Sequence, residues 1–143
     1  HIPFEALDAD YEIDKEAYLE YFRKMHQLFP KCKKMVMAVR NQIASSHHTL
    51  SGLLYDAVED QLYTTRIYDI EPIVDPMGVG DAFIAAYIHA HQKWGDKNQY
   101  CLDFSLSASA IKNTVPGDQN LVTEEEIINA LAEVIPDVHH KYV

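Results

Sequence analysis

Between Asp14 and about Phe29 the apolar residues Leu19, Phe22, Met25 and Phe29 recur near helical spacing. That rhythm predicts an amphipathic helix with Asp14 as its N-cap and Pro30 as its stop. The pattern then changes: Lys34 opens Met35-Val36-Met37-Ala38-Val39, an almost unbroken apolar run, as expected of a strand buried on both faces of a parallel sheet. Gly52 to Ala57 and Leu62 to Tyr68 flank the polar Glu59-Asp60-Gln61 and are rich in Leu, Tyr and Thr, so they read as a hairpin. Its Thr64-Thr65-Arg66 leads toward a further strand at Ile73. Helical spacing returns from Asp81 to Trp94, with Phe83, Ile84, Tyr87, Ile88 and His91 along one face and Gly95 as the C-cap. A second helix is predicted from Lys97 or Asn98 to Asn113, where Leu102, Leu106, Ala108 and Ala110 form a face small enough for close packing. Thr114 to Asn120 is a loop rich in Pro, Gly and Asp. Thr123-Glu124-Glu125-Glu126 then has capping-box spacing ahead of Ile127, Ile128 and Leu131. Nothing along the chain divides it, so the pattern predicts one α/β unit.

The candidate chemistry sits where the strand-like Glu71-Pro72-Ile73-Val74 meets the helix that opens with Ala82-Phe83-Ile84. Between them runs Asp75-Pro76-Met77-Gly78-Val79-Gly80-Asp81. The first N–H groups of a helix have no intrahelical partners and carry the positive end of the macrodipole, so this end of the helix suits a phosphate. Gly78 and Gly80 lack Cβ, which lets charged oxygens come within bonding distance of the amides of Gly78, Val79 and Gly80. Asp81 falls in the first turn, where the dipole favours the ionised carboxylate that a proton acceptor needs. Spacing alone leaves a second reading open, a tight turn with Asp81 as an ordinary N-terminal helix charge.

Asp75 through Phe83 resembles the signature Asp-Thr-x-Gly-Ala-Gly-Asp-x-Phe of the ribokinase-like (PfkB) carbohydrate kinases. Pro76 replaces the usual Thr and Val79 the usual Ala, while the glycines and both aspartates stand. Ala108 to Val122, with Lys112-Asn113-Thr114-Val115-Pro116-Gly117-Asp118 at its centre, resembles the C-terminal segment of the 2-keto-3-deoxygluconate kinase branch. Val39-Arg40-Asn41 followed by Ser45-Ser46 is a weaker similarity to the same branch. The resemblance covers about Lys34 to Val122. It implies the C-terminal, nucleotide-binding and catalytic part of a doubly wound ribokinase-like α/β core with a β-hairpin, because full members are roughly twice as long and carry the sugar pocket and lid in the other half. The opening His1-Ile2-Pro3-Phe4 also reads like the middle of a protein.

By the same resemblance the chain serves ATP-dependent phosphorylation of a sugar-acid hydroxyl, 2-keto-3-deoxygluconate to its 6-phosphate, or of another ribokinase- or fructokinase-type sugar. Alternatively it is a nucleotide-binding fragment without catalysis. Asp81 takes the place of the base; Gly78, Val79 and Gly80 form the anion hole. Arg40, Lys112 and Asn113 fall at the nucleotide groove, although a strand-end arginine and a helix C-terminus explain those residues equally well. ATP and Mg²⁺ are the implied ligands. In some members the motif's first Asp also helps hold a monovalent cation such as K⁺, which would be Asp75 here; a loop carboxylate satisfying nearby amides is the plainer account. Family dimers commonly use the lid, so a homo-oligomer is compatible with the chain but not legible in it.

Charge narrows the partners. A formal net charge of -10 and a pI near 5.1 oppose general nucleic-acid binding, which rests on clustered Lys and Arg. One ATP needs only a local nest of amides and a cation or two. No run is apolar enough to span a bilayer and no signal-peptide pattern opens the chain, so a cytoplasmic enzyme without membrane partners is expected. Cys32 and Cys101 lie far apart with no metal-type spacing and read as reduced thiols. The eight histidines include the pairs His47-His48 and His139-His140, whose side chains diverge, and His89 with His91, which do not share a helical face. None has good metal-ligand spacing.

Overall fold

The computed structural model describes residues 4–6, 15–44, 47–70, 79–113 and 123–134. Within them the chain forms β1 (Phe4–Ala6), α1 (Lys15–Leu28), β2 (Lys34–Ala44), β3 (His47–Asp56), β4 (Gln61–Thr64) and β5 (Tyr68–Ile70). Three helices follow: α2 (Val79–Trp94), α3 (Asn98–Lys112) and α4 (Glu124–Val134). The strands make one sheet in the order β1-β5-β3-β2, with β4 also pairing with β3. The long β3 is its spine. Its first half pairs with β5 through His48↔Ile70 and Leu50↔Tyr68, and its second half with β4 through Leu53↔Thr64 and Asp56↔Gln61.

Alternation along β3 distributes the core to two sides. Leu53 and Tyr55 face α1 together with Met35, Met37 and Val39, and Phe22 of α1 packs into that group, its ring stacked 5.8 Å from the Tyr55 ring. Leu50 and Leu54 face the other way, into a cluster with Tyr68, Ile70, Phe83, Leu102, Leu106 and Leu131. Helices therefore cover both faces of the sheet, as expected for an α/β layer structure. α3 is enclosed on nearly all sides, since every residue from Tyr100 to Ala110 is buried. Its outer side meets Ala86 and Ala90 of α2 and Ile127 of α4 through Cys101, Phe104 and Ala108. Small residues make this approach possible. A Cβ added at Gly52 of β3 would stand 3.1 Å from Leu102 Cδ1 and 3.3 Å from Thr65 Cγ2, so α3 lies on the sheet at the one strand position without a side chain.

Three sequence expectations are corrected. The apolar run in β2 is not in a parallel pairing: Lys34↔Asp56 through Ala44↔His47 is an antiparallel ladder, and all pairings among the described residues are antiparallel. The physical reason is the connection. β2 and β3 are separated by two residues, enough for a hairpin, whereas a parallel neighbour needs a crossover of a dozen or more. Nor is β2 buried on both faces, since Met35, Val36, Met37 and Val39 are half-buried and Ala38 is exposed.

The second correction is that the arm expected from Leu62 to Tyr68 divides into β4 and β5. Thr65 causes the division. Its Oγ1 accepts the Gly52 N–H at 2.9 Å and donates to the Arg66 carbonyl at 2.7 Å, a side-chain substitute for the ladder. The third concerns α2. Its buried positions are Ala82, Phe83, Ala86 and Ala90, while Ile84 and Ile88 remain 47% and 54% exposed and His91 lies at the surface, stacked against Tyr87.

Local anchors match the sequence closely elsewhere. Thr123 Oγ1 accepts the Glu126 N–H at 3.2 Å and caps α4 as the capping-box spacing implies. At the β3–β4 turn Asp60 adopts φ 54°, a left-handed conformation that aspartate tolerates better than most residues. Arg23 of α1 grips its carboxylate with two bonds of 3.0 and 2.7 Å, and Tyr55 donates a third of 2.7 Å. The Arg23 bond, followed by that of Tyr55, holds the Asp60 carboxyl down to about 2.

Candidate active site

Of the predicted anion-site residues, Val79, Gly80 and Asp81 lie at the start of α2. Ile70 is level with His48 and, across β3, with Gln42, while Tyr68 is level with Leu50 and Arg40. The edge of the sheet from which the chain departs toward α2 is thus the edge that carries Arg40. Residues 71–78, including Asp75 and Gly78, lie outside the described residues. From Val79 onward the chain is helical, so the N–H groups of Val79, Gly80 and Asp81 stand in the first turn, without partners four residues back in the same helix.

Gly80 is exposed, and a Cβ placed on it would meet nothing within 4 Å. A side chain at this position would point into open space among the described residues. Asp81 is exposed in the same turn. Two residues later Phe83 is 2% exposed and clusters with Leu50, Tyr68 and Ile70 of the sheet and with Leu106 and Ala110 of α3. Phe83 thereby fixes the end of α2 that carries Gly80 and Asp81. Sequence reading gave this phenylalanine a place on the apolar face and at the end of the Asp-x-Phe signature, but not this anchoring role.

The remaining candidates occupy different settings. Arg40 is exposed on β2, opposite Leu50. Lys112 is fully buried in the last turn of α3, and Asn113 is 2% exposed at its C-cap. The Asn113 side chain turns back on its own helix, donating from Nδ2 to the Ser109 carbonyl at 3.1 Å, while its Oδ1 is buried with no hydrogen-bond partner among the described residues. The end of α3 and the start of α2 converge, since Ala110 and Phe83 share one cluster and Ile111 packs against it. Thr114 to Asn120, with the Pro116-Gly117-Asp118 turn, lies outside the described residues, but both its anchors are visible. On the far side Glu124 opens α4, accepts a bond from Lys93 Nζ and meets His89 Nε2, each at 2.5 Å. Lys93 and then His89 hold the Glu124 carboxyl below its ordinary range. An i, i+4 His–Lys pair ahead of an acidic helix start was the signal that sequence reading passed over.

α3 also carries a buried carboxylate. Asp103 is 1% exposed, and burial pushes its pKa up to about 7 against the opposing pull of Gln99 and Arg66. Gln99 Nε2 bridges Asp103 Oδ2 at 3.2 Å and the Thr64 carbonyl at 3.0 Å, which ties α3 to the break between β4 and β5. Among the described residues no group of three or more His, Cys, Asp and Glu comes together as a metal site, and no described helix is long and apolar enough to cross a membrane. Cys32 and Cys101 are free thiols; burial pushes the Cys101 thiol up to about 11.

No protein-family model matches the chain, and no curated protein matches it. Three solved chains do, two of which are as follows. One is the crystal structure of a 2-dehydro-3-deoxygluconokinase from Thermotoga maritima, 26% identical with a TM-score of 0.76 over 85% of this chain and 36% of that one. The other is a PfkB family carbohydrate kinase from Listeria grayi, 31% identical with a TM-score of 0.74 over 85% of this chain and 37% of that one. The chain thus spans little more than a third of the length of either kinase. Over that span its helices and its antiparallel sheet are those of a portion of the ribokinase-like (PfkB) carbohydrate-kinase fold.

Proposed function

We propose that the chain is the nucleotide-binding and catalytic part of an ATP-dependent carbohydrate kinase, with 2-keto-3-deoxygluconate as substrate and its 6-phosphate as product. The observation that carries the reading is the start of α2, where exposed Asp81 and unobstructed Gly80 share one helical turn in a chain similar to two sugar kinases. The amides of Gly78, Val79 and Gly80 hold the transferring phosphoryl group, for which the helix end supplies oriented donors and positive potential. Asp81 accepts the proton of the sugar's primary hydroxyl. That oxygen bonds to the γ-phosphorus, the bond from γ-phosphorus to the β,γ-bridging oxygen breaks, and ADP leaves. The exposed carboxylate of Asp81 suits a Mg²⁺ ion held mainly by nucleotide oxygens and water, which neutralises phosphate charge when bound. Arg40, Lys112 and Asn113 belong to the nucleotide side. Asp75 is assigned to a monovalent cation such as K⁺.

In the intact enzyme Asp81→Asn lowers sugar-dependent ADP formation by about 10²–10⁴-fold while ATP still binds. Near-normal turnover would remove Asp81 as the base. The short span relative to both kinases favours a second reading for the isolated chain, a nucleotide-binding module that turns over no sugar until the rest of the fold is supplied.

A further inference from the structure

α3 rests on the sheet where one of its ladders is interrupted. β4 ends at Thr64 and β5 begins at Tyr68. Between them Thr65 is tied to Gly52, its N–H donating to the Gly52 carbonyl at 3.0 Å and its Oγ1 accepting the Gly52 N–H at 2.9 Å. β5 itself is only three residues long. Over this joint α3 places Gln99 and, one turn on, Asp103. A single nitrogen, Gln99 Nε2, donates both to the Thr64 carbonyl at 3.0 Å and to Asp103 Oδ2 at 3.2 Å.

Asp103 is 1% exposed, and among the described residues no lysine, arginine or histidine forms an ion pair with it. A carboxylate out of water with one amide donor lacks the compensation its charge requires, so the neutral acid is the form that the closed fold accepts. Its charged and titratable neighbours come from the joint: Arg66, exposed there, favours the anion, and buried Tyr68 lies within reach of the same charge. Lys112, the buried cation of the same helix, is about 13 Å farther along the axis. Asp56 of β3 is engaged with Asn98 at the start of α3, and Glu124 of α4 with Lys93 and His89 of α2. Otherwise β3, α2 and α4 present apolar side chains to α3. When the proton leaves, the charge must reach water or a cation, and the joint is where both are nearest. Opening there also breaks the fewest bonds.

We propose that Asp103 is a proton-dependent clasp: the neutral carboxyl keeps α3 seated on the joint, and loss of its proton to water opens the joint toward Arg66 and loosens β5. The clasp is independent of what the chain binds. Its consequence rests on the kinase reading, because β5 leads through residues 71–78 to the turn proposed to hold phosphate, so nucleotide affinity falls as the clasp opens. Carboxyl-carbon NMR of Asp103 and residue-resolved hydrogen exchange, both from pH 5 to pH 8, test it. An opening that gives the carboxyl its ordinary acidity becomes more populated over that range by as much as about a hundredfold. Exchange at Tyr68, Asp69 and Ile70, corrected for the intrinsic effect of pH, rises accordingly and without the urea dependence of global unfolding. Asp103→Asn, which keeps an acceptor for Gln99, removes the rise, and Arg66→Leu moves the carboxyl titration to higher pH. A carboxyl that titrates in the ordinary aspartate range would overturn the proposal. So would a rise that persists in Asp103→Asn, or one as steep in urea as exchange in the β2–β3 ladder. Titration of ATP with Mg²⁺ at pH 6 and pH 8 reads the consequence: affinity relative to Asp103→Asn falls at pH 8, and an unchanged ratio would overturn the link to the phosphate turn. No ATP binding at either pH, with the exchange behaviour intact, would overturn the proposed function and leave the clasp standing.

Discussion

Asp103 shows what a single buried carboxyl does to a fold of this size. Its pKa lies near 7 because burial disfavours the charge more than Gln99 and Arg66 favour it. A carboxyl with a raised folded-state pKa contributes stability at low pH and loses it as pH rises through the folded value. The contribution is full below about pH 4 and declines toward pH 7. Asp103→Asn is therefore expected to flatten the stability profile between about pH 4 and pH 7 and to stabilise the chain at pH 8 by on the order of 4 kcal/mol, as read by urea unfolding at each pH. An unchanged profile would mean that the carboxyl is solvated. Residues of this kind are hard to read in a sequence. Asp103 sits between Leu102 and Phe104 with nothing to mark it, and only the enclosure of α3 by sheet and helices makes it unusual. Lys112 is a similar case, since a lysine near a helix C-terminus ordinarily reads as a surface charge, whereas this one is fully buried. Gly80 and Asp81 were legible as the start of a helix, because they stand at the point where strand pattern gives way to helix pattern.

Among the elements, helices were the most legible. α1, α2, α3 and α4 begin and end close to the positions that caps and periodicity predict, because those signals are local. The sheet was less so. An apolar run such as β2 states that a strand is covered, not which neighbour it has, and only the length of the connection to β3 settles the antiparallel ladder. On α2 the alternation of large and small residues misled: Ile84 and Ile88 were expected inward, but the close approach of α3 selects Ala86 and Ala90 for the interface. The contact between β3 and α3 has its own test. Because a Cβ at Gly52 would already be 3.1 Å from Leu102 Cδ1 and 3.3 Å from Thr65 Cγ2, the bulkier Gly52→Val crowds the Leu102 and Thr65 side chains where α3 meets the sheet. Overpacking of this type costs about 1–3 kcal/mol, so the urea midpoint should fall with the slope unchanged. An unchanged midpoint would show that Leu102 has room to move aside.

At the scale of the whole molecule, a sheet with helices on both faces gathers Phe83 near the start of α2, Ala110 near the end of α3 and Leu50, the register partner of Arg40, into one cluster. That convergence gives the proposed phosphate site its frame, and similarity to two sugar kinases gives it a chemistry. The central claim is that the turn containing Val79, Gly80 and Asp81 binds the phosphates of ATP. Calorimetric titration of ATP with Mg²⁺ into this chain, alongside Gly80→Trp, which puts a bulky side chain in the first turn of α2, tests it most directly. The account predicts saturable binding to the chain that the tryptophan variant loses while remaining folded; no binding to the chain, or equal binding to both, would contradict it.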